Sequence, residues 1–158
     1  MKNDERVQGQ TTATASASFR KQSLGNLSFR LAHLFERRLD QRLALHGVNI
    51  GQFRVMFVLW EMGEATQTDI ARHLGVAQPT IAKTLERMVR DNLVEMRPDP
   101  NHGRRVLASL TKNALDLRVP LLNEAGAVND LSTKGMTAIE KDDARRFFLR
   151  FIQALETN

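Results

Sequence analysis

The 158-residue chain has no cysteine and no tyrosine, and aromatic residues make up only 6% of it. Without cysteine there is no disulfide, no thiolate nucleophile and no thiol redox sensor, and the absence fits a reducing compartment. Without tyrosine, a second common sensing chemistry is also closed. No apolar run approaches the roughly 18 residues of a membrane span, so no membrane partner is expected. The opening "MKNDERVQGQ" mixes acids with bases and has no apolar core, unlike a secretory signal. A cytoplasmic location is therefore expected. No glycine-rich phosphate loop, nucleophile elbow or HExxH motif occurs. Asp142 and Asp143 are consecutive, so they diverge on a helix and make no catalytic pair. His33, His46, His73 and His102 are scattered without a second ligand at helical spacing, so no metal centre is expected. No catalytic set and no cofactor emerge, and an enzyme is the least supported class.

What the chain does have is positive charge: a formal +5, with a pI near 10.2. That balance permits a polyanionic partner. Residues 1–22, with "TTATASAS" at their centre, are small and polar and read as a flexible tail. The alternative for this segment is a groove-seeking arm using Arg6, Arg20 and Lys21. From Ser23, the residues Leu24, Leu27, Leu31, Leu34, Phe35 and Leu39 recur in steps of three and four, up to a stop at Gly47. A helix of roughly 22 residues spans over 30 Å, too long to bury its stripe on one small lobe. The stripe therefore asks for a partner, which a second chain would supply. "NIGQFRVMFVLWEMG" is apolar around most of its surface and reads as a core helix ending at Gly63. Near the C-terminal end, Pro120 interrupts a helical pattern. Thr137 and Glu140 then fit a capping box opening a last helix with Phe147, Phe148, Phe151, Ile152 and Leu155.

Between these lies a stretch reading helix, turn, helix, hairpin. Thr66 and Asp69 open the first helix, Gly75 supplies the turn, and "TIAKTLERMVR" forms the second helix. Ile70, Leu74 and Val76 should pack against Ile81, Leu85 and Met88, with Val89 on the same apolar side. The other face presents Thr80, Lys83, Thr84, Arg87 and Arg90, with Gln78 and Pro79 at the leading end. Such a face suits a major groove: Lys and Arg donate to guanine or phosphate, Gln pairs adenine, Thr meets a thymine methyl. Equally, Lys83, Arg87 and Arg90 read as a solvated face paired with Glu86 and Asp91. The hairpin favours the groove reading, because its tip His102-Gly103-Arg104-Arg105 suits a narrow minor groove.

Here the residues resemble the multiple-antibiotic-resistance regulator (MarR) family of bacterial transcription factors, from about Leu24 to Leu155. The segment "TQTDIARHLGVAQPTIAKTLERMVRDNLVEMRPDPNHGRRVLASLT" is similar to the family's helix-turn-helix, its wing and the "LT" that closes it. The resemblance implies a mainly α fold with a small β-hairpin wing. Residues 49–112 would be the winged helix-turn-helix lobe of a 23–158 domain, and 23–47 and 113–158 dimerisation helices. It implies a homodimer joined through Leu24, Leu27, Leu31, Leu34, Phe148, Phe151, Ile152 and Leu155. It also implies a pseudo-palindromic operator in double-stranded DNA, gripped by Gln78, Pro79, Thr80, Lys83, Thr84, Arg87, Arg104 and Arg105. Family members usually repress and let go of DNA when a small, often aromatic, effector binds. His33, Phe53, Met56 and Trp60 are the candidate effector lining, and ordinary core packing is their other reading. Two departures stand out: Ala77 replaces the usual serine cap, and His102 replaces the wing's acid, for which Asp99 is the candidate substitute. Beside the regulator stand a winged-helix protein-interaction module and a non-specific DNA-binding protein.

Overall fold

The computed structural model describes residues 23–157; the tail expected over 1–22 lies outside them. Helix α1 (Leu24–Leu43) starts at Ser23, whose hydroxyl accepts from the Asn26 N–H at 3.4 Å. It passes into a 3-10 turn, Ala44–His46, closed by Gly47 at φ 71°. The stop expected at Gly47 is therefore reached through a tightened last turn. Helix α2 (Ile50–Met62) carries a full capping box: Asn49 accepts from the Gln52 N–H, and the Gln52 side chain accepts from the Asn49 N–H, both at 3.0 Å. It is the central element, with Val55, Met56, Val58 and Leu59 at most 1% exposed.

Strand β1 (Glu64–Thr66) was not foreseen, and it makes the sheet three-stranded. Three residues are too few to show alternation; only pairing with a distant strand identifies them. Helices α3 (Gln67–Leu74) and α4 (Gln78–Arg90) follow, joined through Gly75 at φ 65°. Strands β2 (Val94–Asp99) and β3 (His102–Leu110) form the hairpin, and the antiparallel order is β1-β3-β2. Short α5 (Lys112–Asp116) is capped by Thr111, and α6 (Arg118–Ser132) and α7 (Ala138–Glu156) complete the chain. Pro120 sits in the first turn of α6, where a missing N–H breaks no helical bond. The interruption it signals is realised at Leu117, between α5 and α6. The capping box of Thr137 and Glu140 opens α7 as expected.

The core gathers Leu43, Met56, Leu59, Ile70, Met88 and Leu121, all below 2% exposure. Burying each such side chain contributes about 1.5–3 kcal/mol. Ile81, Leu85 and Met88 are buried on α4, with Leu74 and Val76 packed against the same cluster. Val89, expected on that side, is instead 46% exposed. It follows Met88 by about 100° around the helix, past the edge of a narrow buried stripe. This lobe leaves most of α1 and all of α7 unburied. In α1 only Leu39 and Leu43 are buried, and α7 has no buried residue.

Candidate nucleic-acid interface

The outer face of α4 is where the sequence places it: Gln78, Pro79, Thr80, Lys83 and Arg87 are exposed and Thr84 is half-buried. The helix begins at Ala77 without a side-chain cap. Its start is held by other means. The Gln78 amide donates to Thr68 Oγ1 at 2.5 Å, and the Gln67 amide donates to the Gln78 carbonyl at 3.2 Å. Gln78 thus ties α4 to α3, and reaching a base requires exchanging that bond. The Thr84 hydroxyl donates to the Thr80 carbonyl at 2.9 Å, which leaves its methyl and an oxygen lone pair for an incoming ligand.

The cations divide into two sets. Arg72 pairs with Asp69 at 3.1 Å, Arg90 with Asp91 at 3.6 Å, and Arg97 with Glu64. Among the described residues Lys83, Arg87 and Arg104 form no ion pair or hydrogen bond through their side chains. The solvated-face reading therefore holds for Arg90, through its pair with Asp91, but not for Lys83 or Arg87. Three uncompensated cations on one surface are ready for phosphate.

The wing differs from its expected form in a way that matters. Pro100 and Asn101 make the turn, and His102 through Arg105 belong to the start of β3. Across the hairpin Asp99 pairs with His102 and Pro98 with Val106, with a register shift between. Residues 103–105 therefore bulge, and a bulge re-aims the side chains it carries. Asp99 accepts from the Asn101 N–H at 2.8 Å, so it stabilises the turn and does not anchor Arg104. Arg104 and Arg105 look back across a cleft of about 430 Å³ shared with Thr66, Thr68, Arg72 and Gln78. Asp69 lines it too, its carboxyl held below the ordinary range chiefly by the Thr66 hydroxyl, with Arg72 and Arg105 adding to the effect. The α3 residues of this cleft were missed in the sequence. Their contribution arises only once the hairpin folds over the start of α3.

The candidate effector residues are not equivalent. Phe53 and Met56 are core. Trp60 is half-buried, edge-on to Phe53 at 5.9 Å and Phe57 at 6.2 Å, with the Arg118 guanidinium 5.9 Å from its ring centroid. His33 is exposed on α1. The eight candidate dimerisation residues are all exposed, from Phe151 and Leu31 at 41% to Leu155 at 82%. Leu31, Phe148, Phe151, Ile152 and Leu155 line one apolar groove of about 750 Å³ between α1, α6 and α7. No group of residues that could hold a metal ion occurs among those described, and no described helix is long and apolar enough to cross a membrane.

A helix-turn-helix backed by a three-stranded sheet, with an arginine-bearing hairpin beside the second helix, is a winged helix. Residues 48–106 match the family model described as MarR family. The chain is 26% identical over 144 residues to the HTH-type transcriptional repressor IacR of Pseudomonas putida, covering 90% of this chain and 86% of that one. It is 29% identical over 90 residues to the HTH-type transcriptional repressor NicR of Pseudomonas putida, spanning 57% of each. In fold it is similar to a mutant MarR from E. coli complexed with operator DNA, with a TM-score of 0.75 at 24% identity, covering 85% and 96% of the two chains. The helix-turn-helix lobe thus carries the MarR-family match, and over most of its length the chain is similar to a transcriptional repressor.

Proposed function

We propose that the chain is a cytoplasmic homodimeric repressor that grips a pseudo-palindromic operator and is released by a small aromatic effector. The observation carrying this reading is that, among the described residues, Lys83, Arg87 and Arg104 form no ion pair, whereas Arg72, Arg90 and Arg97 of the same lobe do. Thr80, Lys83, Thr84 and Arg87 enter the major groove, with Gln78 and Pro79 at its edge. Arg104 reaches the minor groove and Arg105 the phosphate backbone. The exposed stripes of α1 and α7 meet those of a second copy and set two recognition helices about one helical turn apart. Effector sensing is supported by Trp60, whose buried indole N–H has no partner among the described residues, and by Arg118 over its ring.

The test is binding to the duplex upstream of the chain's own gene, at several salt concentrations, for wild type and Arg104→Ala. The substitution is expected to lower affinity and reduce the slope of log K against log salt by about one contact's worth. Unchanged affinity and slope would remove Arg104 from the interface. Equal affinity for scrambled DNA would favour non-specific binding, and no DNA binding a protein-interaction role. Trp60 is the single tryptophan, so its fluorescence reports effector candidates directly: saturable quenching by aromatic acids that also dissociates the DNA is expected.

A further inference from the structure

Among the described residues only two polar side chains are buried, Thr111 and Gln52. Thr111 acts locally, capping α5 and donating to the Asn92 carbonyl at 2.8 Å. Gln52 is 3% exposed, and it looks in two directions at once. Its oxygen accepts from the Asn49 N–H at the start of α2. Its amide nitrogen donates at 2.8 Å to Oδ2 of Asp91, the residue that ends α4. On the other side of the same helix start, Asp40 of α1 accepts from the Ile50 N–H at 2.7 Å. Directional bonds thus run from α1, through the first turn of α2, to the residue that caps the C-terminal end of α4.

We infer that Gln52 is a positioning residue for DNA recognition, fixing the direction of α4 relative to α1 through Asp91. The inference rests on the proposed use of α4 as the groove-reading helix. The apolar contacts of Ile81, Leu85 and Met88 hold α4 close, but they are non-directional and tolerate a small tilt or roll. A buried amide adds a direction that apolar contacts lack, because its two bonds hold only at fixed geometry. Here the direction is used at the C-cap, the end remote from Thr80. The helix has 13 residues, about 20 Å at 1.5 Å each, so a tilt of about 10° moves its leading end about 3 Å. That exceeds the tolerance of a hydrogen bond to a base edge. The Asp91 N–H also donates to the Arg87 carbonyl at 2.8 Å, so the anchored residue is bonded directly to one of the free cations' own backbone.

The test uses the full chain in five forms: wild type, Gln52→Glu, Asp91→Asn, the double variant and Gln52→Leu. Gln52→Glu sets two carboxylates against each other, whereas adding Asp91→Asn supplies an amide that donates to the new carboxylate and restores the bond. Affinity is measured for the operator and for a scrambled duplex across a salt series. Gln52→Glu is expected to lose about tenfold or more in operator affinity while the scrambled duplex and both salt slopes hold steady, because the phosphates contacted are unchanged. The double variant is expected to recover discrimination to within about threefold, as a coupled pair should. Gln52→Leu, which keeps the volume and removes the carboxylate clash, guards against failure to fold; it is expected to fold, to melt below wild type because the Asn49 and Asp91 bonds are lost, and still to lose discrimination. Operator discrimination retained in Gln52→Leu, or left unrecovered in the double variant, overturns the inference. If wild type itself fails to distinguish operator from scrambled DNA, the groove-reading proposal falls and takes this one with it.

Discussion

Ala77 is in extended backbone at φ −65°, ψ 139°, the geometry of a helix cap, yet it brings no side-chain acceptor. The first N–H groups of α4 are left to the Ala77 carbonyl, which accepts from Thr80 at 3.0 Å, and to whatever approaches from outside. An uncapped helix start suits an approaching phosphate, since the helix dipole favours negative charge there. Ala77→Ser should supply the missing acceptor and stabilise the fold by about 1 kcal/mol. Thermal unfolding should register this as a rise of about 2–4 °C; no rise would mean that the Gln67–Gln78–Thr68 bonds already do the cap's work. The bare cap and the outward placement of Lys83 and Arg87 were both legible in the sequence, because each depends on residue type and helical period alone; whether those cations were paired was not. The tether of Gln78 to Thr68 and the separation of Asp99 from Arg104 were not. Both depend on the relative placement of two elements, which no local spacing encodes.

Elements show the same division. Helix boundaries with chemical signatures, such as Asn49, Thr66, Gly75 and Thr137, fall where the sequence puts them because capping is local. Strand β1 and the bulge at 103–105 escaped because they exist only through pairing with a partner strand. The junction of α1 with α6 is another product of tertiary placement. There Glu124 receives Arg42 at 2.5 Å and His46 at 3.2 Å. The hydrogen bond with His46, then that with Arg42, holds the Glu124 carboxyl below its ordinary value of 4.5. A carboxyl that is more acidic folded than unfolded contributes stability fully above its unfolded value. That contribution disappears as pH falls through the lower, folded value. Glu124→Gln should therefore be less stable than wild type in urea at pH 7, with the gap narrowing as the pH is taken below 4.5. A gap that stays constant across that range would show that the carboxylate charge plays no part in joining α1 to α6.

At the scale of the whole molecule, the largest feature is a surface that one chain cannot cover. Phe147, Phe148, Phe151 and Ile152 on α7 are each more than 40% exposed, as are Leu27, Leu31 and Leu34 on α1. The apolar groove between them meets the core only through Phe35 and shares no lining residue with the outer face of α4. Contiguous apolar surface of this kind marks a site of association, and self-association through a twofold axis uses the same patch on both partners. The length and period of α1 announced this need in the sequence; which residues of α6 complete the groove could not be read there. Phe151→Glu places a charge in the groove and should shift the protein to monomer in sedimentation, while the winged-helix lobe, whose core lies elsewhere, keeps its circular dichroism. In the proposed dimer the operator then loses one of two tethered contacts. Joining two modules raises overall affinity by about 10²–10⁴ over either alone, so affinity for the full operator should fall by about 100-fold or more. Affinity for a single half-site should barely change, because Thr80, Lys83, Arg87 and Arg104 all belong to one chain. If half-site binding fell equally, the groove would be shaping the recognition helix itself and the dimer would not be the source of the avidity.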